Sequence, residues 1–376
     1  MPKTLEEHYS YLSDRVKLKA YESAINRLVQ PDNIVLDLGC GSGLLGLMAL
    51  RAGARKVLLV EEGEVIEVAR QTIVQAGFGD KAEFFQTNSY QMKLPERVDI
   101  VVCDHIGYFG FDYGAIGLLA DAKKRFLKSD GIVVPAAIEL HLAPIDSQTC
   151  RGLVGQWRDG SVPGDFEWLG TTAANSKHAV ELEEQDLLAE PLTIATLELG
   201  PESPPYLSWT TEFTCARDGT LDGIAGWFDC RIFDDVQMSN SPTSAERLDR
   251  PQAFLPVDSP VSVKSGATIN VTVMIRHEDG VIGWIVELPH SGERFAHTTF
   301  NGLLLDISTL NRGRPDRIAS LNDRGRARQI VLSYCDGEQT IEQVEALVIR
   351  NHPDLFPSAS ATSTFVRSVL RWDTGG

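Results

Sequence analysis

The sequence predicts an α/β protein: a parallel sheet covered by helices, then an antiparallel β-barrel or sandwich, then a small helical C-terminal module. Three observations predict it. Strand and helix patterns alternate to about residue 145, as a parallel sheet with crossover helices requires. Short alternating segments punctuated by Pro, Gly and Asp follow. From about Asp316 the apolar spacing turns helical.

The first element is a helix from Leu5 to Val29, with apolar positions at Leu12, Val16, Tyr21, Ile25 and Leu28. The apolar run Ile34-Val-Leu-Asp-Leu38 reads as a buried strand, and Gly39, Gly41 and Gly43 as a tight turn into a helix beginning at Leu44. Further strands are expected at Lys56–Val60, Ala82–Gln86, Val98–Val102 and Ile132–Pro135, with helices at Glu64–Gly77 and Ile116–Leu127. The antiparallel part begins near residue 137 with segments such as Ile138–Ile145, Leu207–Cys215, Ile224–Ile232 and Thr268–Ile275. Gln156–Pro191 interrupts it as an insertion carrying Trp157, Phe166 and Trp168, which reads as a docking arm or as a segment packed on its own barrel. In the tail, Ala327–Tyr334, Ile341–Ile349 and Thr362–Leu370 have helical spacing, and Thr340 with Gln343 forms a capping box. The division follows: an N-terminal helix or lid over residues 1–30, a sheet domain over 31–136, a barrel over 137–305 with its arm at 156–191, and a module over 306–376.

In open parallel sheets ligands bind at the carboxyl ends of the strands. That rule gathers Asp37, Glu61, the Thr87–Tyr90 turn and the segment after Val102 around one pocket. A dinucleotide turn has the form G-x-G-x-x-G, but here Leu44 stands where its third glycine would be. Asp37, two residues before the glycines, would repel a pyrophosphate and attract an ammonium. S-adenosylmethionine carries an ammonium and a sulfonium and no phosphate. Glu61 ends the next strand about 20 residues on, where an acidic side chain accepts hydrogen bonds from ribose hydroxyls. Asp37, Gly39, Gly41 and Glu61 are therefore the expected S-adenosylmethionine site, with a fold that binds NAD as the competing reading.

Composition limits the alternatives. The chain has 376 residues, enough for two or three domains, and its 43% hydrophobic and 23% charged fractions suit a soluble globular protein. A net charge of −17 argues against a nucleic-acid partner, since phosphate binding draws on clustered Lys and Arg. No apolar run reaches 18 residues and the N-terminus lacks signal-peptide character, so neither a membrane partner nor export is expected, and the location expected is cytoplasmic. The six cysteines lack C-x-x-C pairs and read as buried thiols, and the histidines lack metal spacing, so no metal is expected.

With Ile34–Gly43, Gly53-Ala-Arg-Lys-Val57, Leu94-Pro-Glu-Arg-Val-Asp-Ile100, Gly107-Tyr-Phe109 and Phe126–Pro135 in view, the chain resembles the protein arginine methyltransferases over roughly residues 5–300. The resemblance implies a Rossmann-like class I methyltransferase sheet, S-adenosylmethionine as cofactor, a following β-barrel, and a homodimer closed by the 156–191 arm. It also implies that Lys17 meets the cofactor carboxylate and that Ser89 and Tyr90 lie beside the adenine, with Tyr90 replacing an acidic residue. Arginine methyltransferases hold the substrate guanidinium between two glutamates after the fourth strand, since paired carboxylates grip a planar cation bidentately. Here that loop carries Asp104 at the first position with His105 in place of the tryptophan after it, Tyr113 at the second and Asp112 one residue early, while Leu248-Asp-Arg250 replaces a Thr-His-Trp stretch. The tail, from Leu321-Asn through Leu332-Ser-Tyr-Cys-Asp-Gly337 to Thr340–Leu347, resembles the small peptide-binding winged-helix domain of pyrroloquinoline-quinone biosynthesis.

Methyl transfer needs an aligned nucleophile and removal of any proton it must lose. Asp104 and His105 are the expected acceptor and base, and imidazole suits proton transfer at neutral pH. Tyr108, Asp112 and Tyr113 would orient the substrate. Loss of the paired glutamates points to a methyltransferase of specialised metabolism acting on a nitrogen or electron-rich carbon, such as an indole-type ring, of a small molecule. The alternative is a peptide or protein arginine N-methyltransferase that clamps with Asp104 and Asp112, its ribosomal peptide held by the C-terminal module.

Overall fold

In the computed structural model, which describes residues 2–304 and 306–374, the chain forms two compact units with their boundary between Leu303 and Leu304. The first and last positions of the expected division, residues 1, 305, 375 and 376, lie outside the described residues.

The N-terminal elements are α1 (Pro2–Ser13), α2 (Arg15–Leu28), β1 (Ile34–Leu38), α3 (Leu44–Arg51), β2 (Lys56–Glu61), α4 (Ile66–Gln75), β3 (Ala82–Gln86), β4 (Val98–Val102), α5 (Ala115–Arg125) and β5 (Leu127–Val134). The five strands pair in parallel in the order β3-β2-β1-β4-β5. Every residue of β1 is buried, because a central parallel strand is covered on both faces. The order reverses between β1 and β4, and a crevice opens there at the strands' carboxyl ends. The single helix expected over Leu5 to Val29 is two helices. Asp14 interrupts it in an extended conformation and accepts the Lys17 N–H at 3.1 Å, an aspartate acting as N-cap instead of helix interior.

The antiparallel part comprises β6 (Ala137–Ile145), α6 (Gln148–Gly155), α7 (Leu169–Ala174), β7 (His178–Val180), β8 (Leu192–Glu198), β9 (Tyr206–Thr214), β10 (Gly219–Phe233), β11 (Val236–Ser239), β12 (Gln252–Val263), β13 (Thr268–Arg276), β14 (Val281–Leu288) and β15 (Glu293–Thr298). They build two antiparallel sheets, β7-β12-β10-β6-β8 with β11 added to β10, and β15-β14-β13-β9. Inward residues of both, including Phe228, Leu255, Phe213 and Trp284, share one core with the parallel sheet. The insertion is partly tied down: β7 pairs with β12, and Trp157 packs on Val154, Ala173 and Ala174.

The second unit holds α8 (Ile307–Arg312), α9 (Asp323–Leu332), α10 (Ile341–Asn351) and α11 (Ala359–Asp373), and its core is built from Val331, Val344, Val348, Val366, Val369 and Leu370. Its described elements are helices, the plainer of the two forms expected. The Thr340–Gln343 capping box is present in both directions, at 3.2 and 2.7 Å. Five of the cysteines are buried thiols as expected, but Cys335 is exposed, because α9 ends before it and the Asp336-Gly337 turn carries it outward.

Candidate active site

The glycine turn sets the shape of the crevice. Gly39 and Gly41 take φ of 69° and 50°, and a side chain on Gly39 would collide with the His105 ring. Behind them Asp37, 1% exposed, accepts the Gly46 N–H at 2.7 Å and so anchors the first turn of α3. Burial pushes its carboxyl up to about 7, against the pull of that hydrogen bond. Glu61, at the end of β2, accepts the Gly41 N–H at 3.1 Å and the Gly63 N–H at 2.8 Å, locking the turn to the next strand.

Two cavities meet at this turn and share Gly39, Glu61, His105 and Tyr113. One, of about 300 Å³, is lined by Lys17, Asp37, Gly41 and Asp104, and by His8, Tyr11 and Leu12 of α1. The other, of about 610 Å³, is lined by Thr87–Tyr90 and by the β13–β14 turn at His277–Gly280. All seven expected cofactor residues, Lys17, Asp37, Gly39, Gly41, Glu61, Ser89 and Tyr90, therefore line one of the two. Tyr90 is 57% exposed and its backbone N–H bonds Asn88 Oδ1 at 3.0 Å, while the Ser89 carbonyl accepts from Arg125 at 2.8 Å.

The residues fit S-adenosylmethionine. The bare backbone of the turn leaves room where Cβ atoms would intrude, and the carboxylates Asp37 and Glu61 suit a ligand with two cationic centres and no phosphate. Among the described residues Lys17 supplies the one buried ammonium of the smaller cavity, where it would meet the ligand's carboxylate.

The expected catalytic residues separate into two groups. Asp104, His105 and Tyr113 line the cavities, Tyr113 in a left-handed conformation at φ 59°. His105 Nδ1 is buried without a hydrogen-bond partner, and burial lowers the imidazole's pKa against the opposing pull of Glu61 and Asp104. Tyr108 and Asp112 line neither cavity. Asp112 is buried against the backbone, accepting the Tyr108 and Phe109 N–H groups at 2.9 and 2.6 Å and an ion pair from Lys177. Lys177 also lies 4.1 Å from the centre of the Tyr108 ring, and burial pushes that phenol up to about 12. Asp112 thus braces its own loop, and a clamp formed by Asp104 with Asp112 is not assembled.

Asp104 is itself engaged. Arg250 Nη2 reaches both its oxygens at 2.9 Å and Lys17 Nζ lies 3.1 Å from Oδ2, with both cations nearly buried. Sequence reasoning missed three participants. His8, given no role by the sequence, faces the turn, its ring 3.1 Å from where a Gly41 side chain would begin. Arg250 was visible as the residue replacing a tryptophan of the resembled family, without its partner, and Lys177 carried no signal. Elsewhere, Glu139, His141 and Asp229 bring potential ligand atoms within 4.8 Å of one another, but His141 and Asp229 already pair at 3.1 Å.

Comparison with known proteins bears on the fold and the class of enzyme. Residues 18–138 match the family model described as ribosomal protein L11 methyltransferase (PrmA), and residues 202–299 the one described as PRMT5 oligomerisation domain. Protein arginine N-methyltransferase 6 of Xenopus laevis is 27% identical over 286 residues, 72% of this chain and 84% of that one. Human protein arginine N-methyltransferase 2 is 27% identical over 308 residues, 75% and 71% of the two chains. The arginine N(omega)-methyltransferase of Streptomyces achromogenes is 28% identical over 269 residues, 70% and 74%. Among solved structures, the Trypanosoma brucei PRMT1 enzyme-prozyme heterotetrameric complex with AdoHcy superposes with a TM-score of 0.69 at 20% identity, over 77% of this chain and 96% of that one. Arabidopsis thaliana protein arginine methyltransferase 10 gives 0.67 at 20% identity, over 78% and 98%.

The fold and the glycine-turn site define a class I methyltransferase, an enzyme whose cofactor is S-adenosylmethionine. Within that class the chain is protein arginine methyltransferase-like.

Proposed function

We propose that the chain transfers methyl groups to nitrogen, with an arginine of a peptide or protein as the foremost acceptor. The names of its relatives support arginine, since they are protein arginine N-methyltransferases and one arginine N(omega)-methyltransferase. The observation that carries the reading is His105, whose ring packs on Gly39 and lines both cavities where they meet. The bound cofactor supplies a methyl group already activated by its sulfonium. A cationic nitrogen must lose a proton to offer a lone pair, and a neutral imidazole at the cavity wall takes it. Lys17 and the turn hold the cofactor, and Tyr113 lines both cavities.

A second reading, a small-molecule amine or an electron-rich carbon of specialised metabolism, draws on one observation: Asp104 and Asp112 are both paired with cations of the chain itself. Labelled S-adenosylmethionine offered with arginine peptides, matched arginine-free peptides, and small amines and indoles separates the two. Label on arginine supports the first reading, and label confined to small molecules removes it. The exposed Phe166 and Trp168 support reading Gln156–Pro191 as a dimerisation arm, and the match to an oligomerisation domain over residues 202–299, outside that arm, supports self-association in general.

A further inference from the structure

Arg250 stands two residues before β12, with its side chain 9% exposed. Its Nη2 spans both oxygens of Asp104 at 2.9 Å, and its Nη1 donates to the Gly107 carbonyl at 3.2 Å on the same loop. The planar cation that an arginine acceptor would bring to Asp104 is thus already there, supplied by the chain. Lys17 adds a second positive charge on the same carboxylate. One carboxylate facing two buried cations has no attraction left for a third, and an entering guanidinium is repelled unless one of them leaves. Neighbouring contacts keep the arrangement in place: the Asp249 N–H donates to Asp14 at 3.2 Å, and Asn240 holds both the Tyr108 and Pro251 carbonyls.

We propose that Arg250 is the acceptor-selecting residue of this enzyme, a resident guanidinium that competes with substrate guanidinium for Asp104. This rests on the reading that the acceptor nitrogen enters at the Asp104–His105 end of the cavity. In the resting protein the guanidinium seat is taken, so an arginine acceptor binds only through the fraction of molecules in which Arg250 has swung away. Its apparent affinity falls by that fraction. An uncharged amine makes no such demand.

The test uses the full chain with Arg250→Ala and Arg250→Lys. In R250A the vacated seat is expected to lower KM for arginine peptides by at least about tenfold. Millimolar guanidinium ion is expected to raise that variant's melting temperature while leaving the wild type unmoved. R250K keeps a charge on Asp104 and is expected to leave KM for arginine peptides near the wild-type value. Unchanged KM in R250A, or a folded R250A that guanidinium does not stabilise, overturns the proposal. If R250A does not fold, Arg250→Gln, which retains a donor for the Gly107 carbonyl, is put through the same two measurements. Failure of every nitrogen acceptor in all variants would overturn the nitrogen reading instead, and guanidinium stabilisation would still decide what occupies the seat.

Discussion

Asp37 and His105 are two side chains at the turn whose ionisation burial shifts. Burial raises the Asp37 carboxyl from 3.8 to about 7, so the folded chain holds a proton there that the unfolded chain has lost. Folding therefore costs more as pH rises from about 4 towards 7, and the full cost approaches roughly 4 kcal/mol at ~1.4 kcal/mol per unit. Asp37→Asn, which keeps an oxygen for the Gly46 amide, is expected to melt higher than the wild type at pH 8 without ligand. The gap should shrink towards pH 4, and cofactor affinity should be weaker and flat with pH, whereas that of the wild type rises between about pH 6 and 8. Melting and titration series across pH check this, and a variant less stable than wild type at pH 8 would sink it. His105 has the opposite sign: burial lowers its pKa, keeping the imidazole neutral, and proton acceptance is lost as pH falls through that lowered value. His105→Gln is expected to lower kcat by about 10²–10⁴-fold and to remove the acid limb of the pH–rate profile. The turn, Asp37 and Glu61 were legible in the sequence because they fall in one short run of strand, turn and strand. Lys177 and Arg250 were not, since each stands far from its partner, at separations of 65 and 146 residues, and no local pattern records such a pairing.

Elements are aligned on the loop after β4 by buried polar contacts more than by regular ladders. Asn240, fully buried, accepts the Phe228 N–H at 3.0 Å and donates to the Tyr108 carbonyl at 2.9 Å and the Pro251 carbonyl at 2.7 Å. It ties β10, the acceptor loop and the approach to β12 into one block. Asn240→Ala removes the partner of one buried and two half-buried backbone groups and is expected to cost about 2–3 kcal/mol, read as a lower urea midpoint with an unchanged slope. A loss under about 0.5 kcal/mol would mean that the loop is held by other contacts. The strands that periodicity located, such as β9 and β13, alternate between more and less buried positions. β12 escaped because Pro256 and Pro260 interrupt its pattern, and proline ordinarily argues against a central strand. The structure accommodates Pro256 opposite Gly223, where the register between β10 and β12 shifts. The break at Asp14 was hidden for the converse reason, an apolar stripe that continues in phase across two helices.

Whole-molecule behaviour turns on the two surfaces that the cofactor site does not use, the arm and the second unit. Phe166 and Trp168 stand half-exposed on the arm, at 51% and 56%, although Trp157 beside them is packed. Replacing both with Ala is expected to shift sedimentation from dimer towards monomer, and a wild type that stays monomeric at every concentration removes the arm's role. The second unit begins at Leu304 with a core of its own, while the residues of both cavities lie before Leu303. A chain ending at Leu303 is therefore expected to bind S-adenosylmethionine as the full chain does and to methylate small acceptors at an unchanged rate. If the second unit captures the peptide, the truncated chain loses the local concentration that tethering provides, and KM for peptide acceptors rises by about 10²-fold with kcat preserved. Equal peptide KM in both chains would show that the unit contributes nothing to acceptor binding. Loss of small-acceptor turnover as well would show instead that it supports the catalytic unit's fold. A rise confined to KM for peptides is the one outcome that assigns delivery to the second unit and chemistry to the first.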